Sequence, residues 1–386
     1  MTAASFSAIS SLHVGMGWYE EQPGGLNRMV ANLVSHLPGA GVAAHALVAG
    51  SPEVASWSEG RGRSFAPLTA GLPRRAWRAA VTLQAEVERM RPDVLALHFP
   101  LFALGGSRTR NGLATVIHFH GPWAEEGRVE GDGPMTVLAK RQVERLVYRS
   151  ATRFIALSRA FADLLERTYR IDPVLIRVVP GGVDLDRFRP EPSRHEARQA
   201  LGLPTDRPIV LAVRRLARRM GLPDLIAACS AARRHVPELL LVVAGGGPLR
   251  GELERQIEEL GLARHVRLLG RVSDADLPLL YRAADLSVVP STALEGFGLI
   301  CVESLASGTP AMVTPVGGLP EVVGELEPAL VLEEVGRGAI AEGIVTALRG
   351  SRPLPASADC VAYATERYAW PAIARRIRGV YEEAVR

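Results

Sequence analysis

Two carboxylates eight positions apart, Glu295 and Glu303, bracket a glycine loop that runs into an apolar helix: Glu295-Gly296-Phe297-Gly298-Leu299-Ile300-Cys301-Val302-Glu303. Gly296 and Gly298 let backbone approach a bound molecule closely, and the free N–H groups of the next helical turn favour an anion such as a diphosphate. Glu303 falls about two turns further on, where its carboxylate can accept hydrogen bonds from two ribose hydroxyls. Two solvated glutamates beside an ordinary glycine turn remain the plain alternative, because short glycine motifs recur by chance.

Other residues with chemical potential sit at similar junctions. Gly24-Gly25 precedes Leu26, Met29, Val30 and Leu33, an apolar face at helical spacing, so the pair marks either a phosphate-binding helix start or a plain turn. His118 and His120 bracket Phe119 at a strand end and point to one face if the strand continues. With His98 they raise the question of a metal site, but no Asp-x-Asp motif or carboxylate cluster accompanies them, and a strand-end histidine is commonly a hydrogen-bonded structural residue. Gly245-Gly246-Gly247-Pro248-Leu249-Arg250-Gly251 follows a strand and could be a dinucleotide turn. That reading wants an acid at the end of the next strand, where Leu268-Leu269-Gly270-Arg271 stands instead, and it leaves the Glu295 loop unexplained.

The elements that must position these residues follow from apolar periodicity. Strand-like runs at Phe6–Leu12, Ala43–Val48, Val94–His98, Ala114–His118, Arg153–Ala156 and Ile176–Val179 alternate with helical patterns. A second series follows at Ile209–Val213, Leu239–Ala244, Val266–Leu269, Leu286–Val289, Ala311–Thr314 and Ala329–Leu332. This alternation predicts parallel sheets in an α/β protein. Between the series lies Asp184-Leu185-Asp186-Arg187-Phe188-Arg189-Pro190-Glu191-Pro192, a charged, proline-punctuated linker. The domains are therefore cut at 1–185 and 186–367.

A length of 386 residues is enough for two domains with separate cores. With 47% hydrophobic and 22% charged residues the composition is that of an ordinary globular chain, and no apolar run reaches the length of a membrane span. The N-terminal residues carry neither the basic segment nor the long apolar core of a signal peptide, so a cytoplasmic location is expected. Cys229, Cys301 and Cys360 are widely spaced and read as buried thiols. The net charge is only +4, and the 45 basic residues, of which Lys140 is the sole lysine, punctuate helices rather than clustering, which argues against nucleic acid as a partner. The segment Leu72-Pro73-Arg74-Arg75-Ala76-Trp77-Arg78-Ala79-Ala80-Val81 is the exception: a basic helix start carrying a tryptophan, which could touch an anionic bilayer or be an ordinary amphipathic surface helix.

The motif E-G-F-G-L-x-x-x-E resembles the signature of the family-four retaining glycosyltransferases. Further matches run in the family's order: Gly24-Gly25-Leu26-Asn27, His118-Phe119-His120-Gly121, Pro180-Gly181-Gly182-Val183-Asp184, Arg215-Leu216, Gly245-Gly246-Gly247-Pro248 and Gly317-Gly318-Leu319-Pro320-Glu321. The resemblance implies the GT-B fold, two Rossmann-like parallel-sheet domains facing a central cleft, with the last helix, 368–386, crossing back onto the first domain. Tyr368-Ala369-Trp370 followed by Ile373, Ile377, Val380 and Tyr381 suits such a stripe, as it would suit a helix packed on its own domain.

The same resemblance implies the roles. Glu295 would hold sugar hydroxyls, Glu303 the ribose, and His120 the sugar from the opposite domain, with His118 less suited. Gly24, Gly25, Gly296, Phe297, Gly298 and Leu299 would border the donor, Gly246, Arg271 and Val272 would lie near its base, and Arg215 would clamp the diphosphate. Five residues after that arginine the family has a lysine where this chain has Met220, so Arg219 or Arg218 must replace the charge. The implied reaction is metal-independent, cofactor-free transfer from a UDP-, GDP- or ADP-sugar to a hydroxyl acceptor with retained configuration, a leaving phosphate oxygen taking the acceptor proton. Two alternatives stay open. A GT-B epimerase or phosphorylase would share the architecture, though a pyridoxal-phosphate enzyme needs a Schiff-base lysine and only Lys140 is present. A non-catalytic polyanion-binding protein is the other.

Overall fold

The computed structural model describes residues 9–104 and 112–386. The chain forms two compact units, residues 1–181 with 370–386 and residues 182–369. The division falls at Gly181/Gly182 and Ala369/Trp370, slightly before and after the expected cuts.

The first unit is built on a seven-stranded sheet of β1 (Ile9–Val14), β2 (Val42–Ala49), β3 (Gly62–Ala66), β4 (Val94–Leu97), β5 (Ala114–Phe119), β6 (Arg153–Ala156) and β7 (Ile176–Val178), in the order β3-β2-β1-β4-β5-β6-β7. Every pairing is parallel. Strands such as Val94-Leu95-Ala96-Leu97 are buried on both faces, and this gives the continuous apolar runs that mark a helix-covered sheet. Of the expected strand Phe6–Leu12, Ile9–Leu12 lie in β1, which runs on to Val14, and the first three residues lie outside the described ones. β3 escaped prediction because Gly62-Arg63-Ser64-Phe65-Ala66 is a short edge strand with mixed polarity.

The second unit carries a five-stranded parallel sheet of β8 (Ile209–Val213), β9 (Leu240–Ala244), β10 (Val266–Gly270), β11 (Leu286–Val289) and β12 (Ala311–Val313), ordered β10-β9-β8-β11-β12. Its core joins Val210, Leu241, Val243, Leu286 and Val288 of the sheet to Leu225, Ile226, Ile340 and Ile344 of the covering helices. The run Ala329–Leu332, expected as a further strand, instead starts in a 3-10 turn at Pro328–Leu330 and touches the sheet through one bridge, Val313 to Val331. Leu330 and Val331 spend their N–H groups inside that turn, on the Glu327 and Pro328 carbonyls at 3.0 Å each.

The last helix, Trp370–Val385, belongs to the first unit. Its buried stripe is Trp370, Ile373, Ala374, Ile377, Val380, Tyr381 and Ala384. The Trp370 indole stacks on His36 at 5.0 Å, and Arg378 Nη1 donates to the Ala40 carbonyl at 2.8 Å. No helix among the described residues is long and apolar enough to cross a membrane.

Candidate active site

In the second unit the carboxyl ends of β8, β9, β11 and β12 lead into loops that interlock. Arg214, directly after β8, donates its backbone N–H to the Ala244 carbonyl at 2.9 Å, and Leu216 does the same to Gly246 at 3.0 Å. The carbonyl of Arg214 sits so close to Gly245 (φ 140°) that a Cβ there would lie 1.9 Å away. Gly317 (φ 56°) is constrained alike, with its Cβ position 2.0 Å from the Glu295 carbonyl, which also accepts from Gly318 N at 2.9 Å. These glycines exist so that three loops can meet around Glu295.

The Glu295 side chain occupies the centre. Its Oε2 accepts from Arg214 Nη2 at 2.5 Å and from Ser291 Oγ at 2.9 Å, while Arg214 also bonds Ser291. Arg219 reaches the neighbouring Leu294 carbonyl with Nη1 at 3.0 Å. Burial pushes the Glu295 carboxyl up, but the Arg214 guanidinium beside it, with Ser291 and Arg219, wins and holds it below the usual carboxylate range. Glu295 is thus a fixed anion with oriented lone pairs, suited to binding hydroxyls and unsuited to delivering a proton.

The helix Leu299–Ala306 begins at Gly298 and buries Glu303 on its inner side, where Tyr281 donates its hydroxyl to Glu303 Oε2 at 3.0 Å. Phe297 is buried with its ring edge-on to Tyr368 at 5.6 Å, so its side chain packs the loop down. Gly296 and Gly298 are buried and Leu299 half-buried. Gly246 lies against Arg271, a Cβ on it falling 3.5 Å from Arg271 Cγ; Arg271 is exposed and Val272 half-buried.

Arg215, expected to clamp the diphosphate, is exposed, and the guanidinium that engages Glu295 is that of buried Arg214, a partner the sequence did not reveal. The missed signal was position: Arg214 immediately follows the buried run Ile209–Val213. Met220 is buried at the end of a 3-10 turn spanning Arg218–Met220, with Arg218 exposed and Arg219 half-buried.

In the first unit the polar groups are imidazoles. His13 on β1, His98 after β4 and His118 and His120 at the end of β5 face one side of the sheet. His13 Nδ1 lies 3.0 Å from His98 Nε2, His98 Nδ1 lies 2.8 Å from His120 Nε2, and His118 Nε2 lies 2.8 Å from the Tyr381 hydroxyl. Burial lowers all four rings, His13 to about 3 and His120 to about 4, so they are neutral at physiological pH. Among the described residues no group of three or more His, Cys, Asp or Glu is arranged to hold a metal ion. His13 and Tyr381 were not visible as partners in the sequence. Gly24 and Gly25 are exposed at the start of the helix Gly25–His36, and a Cβ on either meets nothing within 4 Å, so packing within the protein does not require them. Lys140, the sole lysine, is engaged by Asp132 at 2.5 Å and lies 4.8 Å over the Trp123 ring.

Known proteins resemble this chain in sequence and in fold. Residues 23–187 match the family model described as Glycosyltransferase Family 4, and residues 193–367 match that of Glycosyl transferases group 1. A protein of Mycobacterium tuberculosis named D-inositol 3-phosphate glycosyltransferase is 40% identical over 199 residues, which span 50% of this chain and 40% of that relative. Among solved structures, sucrose-phosphate synthase from Thermosynechococcus elongatus superposes with a TM-score of 0.80 at 24% identity, covering 97% of this chain and 98% of that one. Anabaena HepE in complex with UDP and glucose gives 0.79 at 23% identity, covering 96% and 98%. The two parallel sheets, the Glu295 loop between β11 and its helix, and two family models that between them span nearly the whole chain agree: this chain belongs to glycosyltransferase family 4 and has the GT-B fold.

Proposed function

We propose that this glycosyltransferase moves a sugar from a nucleoside-diphosphate sugar to an acceptor hydroxyl, retaining the anomeric configuration and needing no metal. The observation that carries the reading is the Glu295 carboxylate, held ionised by Arg214 and Ser291 beside the N-terminus of the Leu299–Ala306 helix. HepE, a structural neighbour, binds UDP-glucose, which supports a donor of this class. UDP-, GDP- and ADP-sugars all remain in play as donors.

Breaking the glycosidic bond puts positive charge on the sugar ring and negative charge on the departing diphosphate. The helix N-terminus after Gly298, with Arg215 and Arg219, would stabilise the diphosphate, and the Glu295 anion would hold sugar hydroxyls. Glu303 would accept the ribose hydroxyls, Gly246, Arg271 and Val272 would border the base, and Gly24 and Gly25 would present backbone N–H groups to phosphate. His120 would position the sugar. The Glu295 carboxylate, held below the usual range by Arg214, is a weak base, which fits acceptor deprotonation by a leaving phosphate oxygen. Arg214 and Arg219, which engage the Glu295 carboxylate and the Leu294 carbonyl, concentrate cationic charge at the loop and support metal-independent transfer.

Two variants test the site. Glu303→Ala should weaken binding of the free nucleotide, read by calorimetry, by roughly 2–3 kcal/mol, whereas Glu295→Ala should chiefly lower turnover. Nucleotide affinity unchanged by Glu303→Ala removes that residue from the donor site. EDTA should leave the rate unchanged, and NMR of the product should show the donor's configuration; an inverted linkage overturns the mechanism.

The basic helix start is read as a membrane contact. Leu72, Trp77 and Val81 are exposed on the Leu72–Met90 helix beside Arg74, Arg75 and Arg78, a combination that matches an anionic bilayer. The protein should float with vesicles containing phosphatidylglycerol and not with phosphatidylcholine alone, and Trp77→Ala should reduce the bound fraction. Equal flotation with both vesicle types overturns the contact.

A further inference from the structure

Ser11, His13, His98 and His120 form one hydrogen-bonded row across three neighbouring strands. Ser11 Oγ lies 3.1 Å from His13 Nε2, His13 Nδ1 lies 3.0 Å from His98 Nε2, and His98 Nδ1 lies 2.8 Å from His120 Nε2. The two-residue period of a strand puts Ser11 and His13 on one face of β1. Register brings the others alongside: His13 pairs with Ala96, two residues before His98, and Leu97 pairs with Ile117, so His98 and His118 emerge together. His118 does not join the row but flanks it, its ring stacked on His98 at 4.4 Å and tied to Tyr381.

A neutral imidazole has one N–H and one bare nitrogen. Both nitrogens of His13 and of His98 are used within the row, so the proton position on one ring fixes it on the others. Two arrangements are self-consistent. In one, His120 Nε2–H donates to His98, His98 Nε2–H donates to His13, and His13 Nε2–H donates to Ser11; His120 Nδ1 is then a bare acceptor. In the other every donor is reversed: Ser11 donates to His13 Nε2, His13 Nδ1–H to His98 Nε2 and His98 Nδ1–H to His120 Nε2, and His120 carries its proton on Nδ1.

Ser11 decides between them. It is fully buried, and among the described residues its hydroxyl has one hydrogen-bond partner, His13 Nε2. If His13 were the donor, the Ser11 hydroxyl hydrogen would be left in a dry interior without an acceptor, a penalty that disappears when Ser11 donates. We propose that Ser11 sets the polarity of the row and locks His120 as the neutral Nδ1–H tautomer, so that Nδ1, the ring nitrogen the row does not use, offers a hydrogen-bond donor to an oxygen of the sugar or the acceptor. The substrate contact rests on the glycosyltransfer reading above; the tautomer does not. Burial keeps each ring uncharged, which preserves the pattern and avoids placing an imidazolium where a sugar ring gains positive charge. Ser11, His13 and His98 are therefore positioning residues that act through His120.

The test reads the tautomer directly. Long-range proton–nitrogen NMR of the ¹⁵N-labelled full chain at pH 7.5 should show His120 with its proton on Nδ1. Ser11→Ala should give a mixture of tautomers and lower kcat about three- to tenfold, the scale of one neutral hydrogen bond, with nucleotide affinity unchanged. Ser11→Thr, which keeps the hydroxyl, should restore both. A proton on Nε2 of His120 in the wild type overturns the proposal whether or not the variants fold, and so does a Ser11→Ala protein with unaltered tautomer and kcat. Failure of the wild type to transfer sugar from any UDP-, GDP- or ADP-sugar overturns the functional reading and, with it, the proposed substrate contact, whereas the NMR result still decides the row.

Discussion

At the ends of β1, β4 and β5 the buried polar side chains are imidazoles joined ring to ring, whereas at the ends of β8 and β11 they are a guanidinium and a carboxylate joined through Ser291. Both sets sit where a parallel sheet releases its strands into loops, and both satisfy their hydrogen bonds largely among themselves. They differ in how the desolvation cost of burial is met. In the first unit it is avoided, because the rings give up their protons. In the second it is offset, because the charge of Glu295 is matched by that of Arg214. A site that holds a fixed anion suits a substrate rich in hydroxyls, and a site of neutral rings can orient an oxygen without adding charge. The comparison also implies that the two units respond to different perturbations.

The largest effect should come from breaking the charged pair. Arg214→Ala leaves Glu295 without its main partner in a partly buried site, so the second unit should lose about 3 kcal/mol in urea unfolding, and transfer should fall by more than about 100-fold. Glu295→Gln keeps a hydrogen-bond acceptor for Arg214 and should cost less stability while still depressing turnover. A stability loss below about 1 kcal/mol for Arg214→Ala would show that water replaces the guanidinium and that the contrast with the first unit is weak.

Acid should strike the first unit instead. A histidine whose folded-state value is lowered binds fewer protons folded than unfolded, so its contribution is intact above the ordinary value near 6.5 and is lost as pH falls below it. For His13, lowered to about 3, the loss should reach roughly 3 kcal/mol by pH 4. Hydrogen exchange should therefore show the first unit opening between pH 6 and 4 while the second persists, and His13→Asn should flatten that dependence. Opening of both units at the same pH would contradict the distinction.

Arg219→Ala removes a cation near the Glu295 loop, where Met220 offers none, and should reduce kcat/KM about tenfold, or 1.4 kcal/mol, while Arg234→Ala should not. Because Met220 is buried, Met220→Lys must extend its ammonium outward to act, and partial recovery in the Arg219→Ala background would sharpen the assignment of the clamp.

The smallest effect concerns Glu144, a carboxyl of the first unit that follows the neutral pattern. Burial pushes it up to about 7, outweighing the hydrogen bond from Tyr169 at 2.8 Å. An acid raised in the folded state binds more protons folded than unfolded, so stability falls as pH rises from about 4.5 to 7. Glu144→Gln should stabilise the protein at pH 8 by about 1 kcal/mol and leave pH 5 unchanged, measured by chemical denaturation.

Much of this was legible in the chain itself. Ten of the apolar runs lie on observed strands of the two sheets with only small shifts, since burial on both faces imposes continuous hydrophobicity on strands such as β4, β9 and β11 regardless of what they pair with; Phe6–Leu12 meets its strand over Ile9–Leu12, and Ala329–Leu332 is a turn and a bridge. The glycine loop, Glu295, Glu303 and the helix between them are local in sequence, and their spacing alone put the carboxylates at the two ends of one turn structure. Which side chains meet them was not local. Arg214 and Glu295 are separated by 81 residues, His13 and His98 by 85, and His118 and Tyr381 by 263. A parallel sheet sets such distant segments side by side through crossover connections, and register, which carries no trace in any single segment, decided that Arg214 reaches the carboxylate and that a buried serine stands at the end of a histidine row.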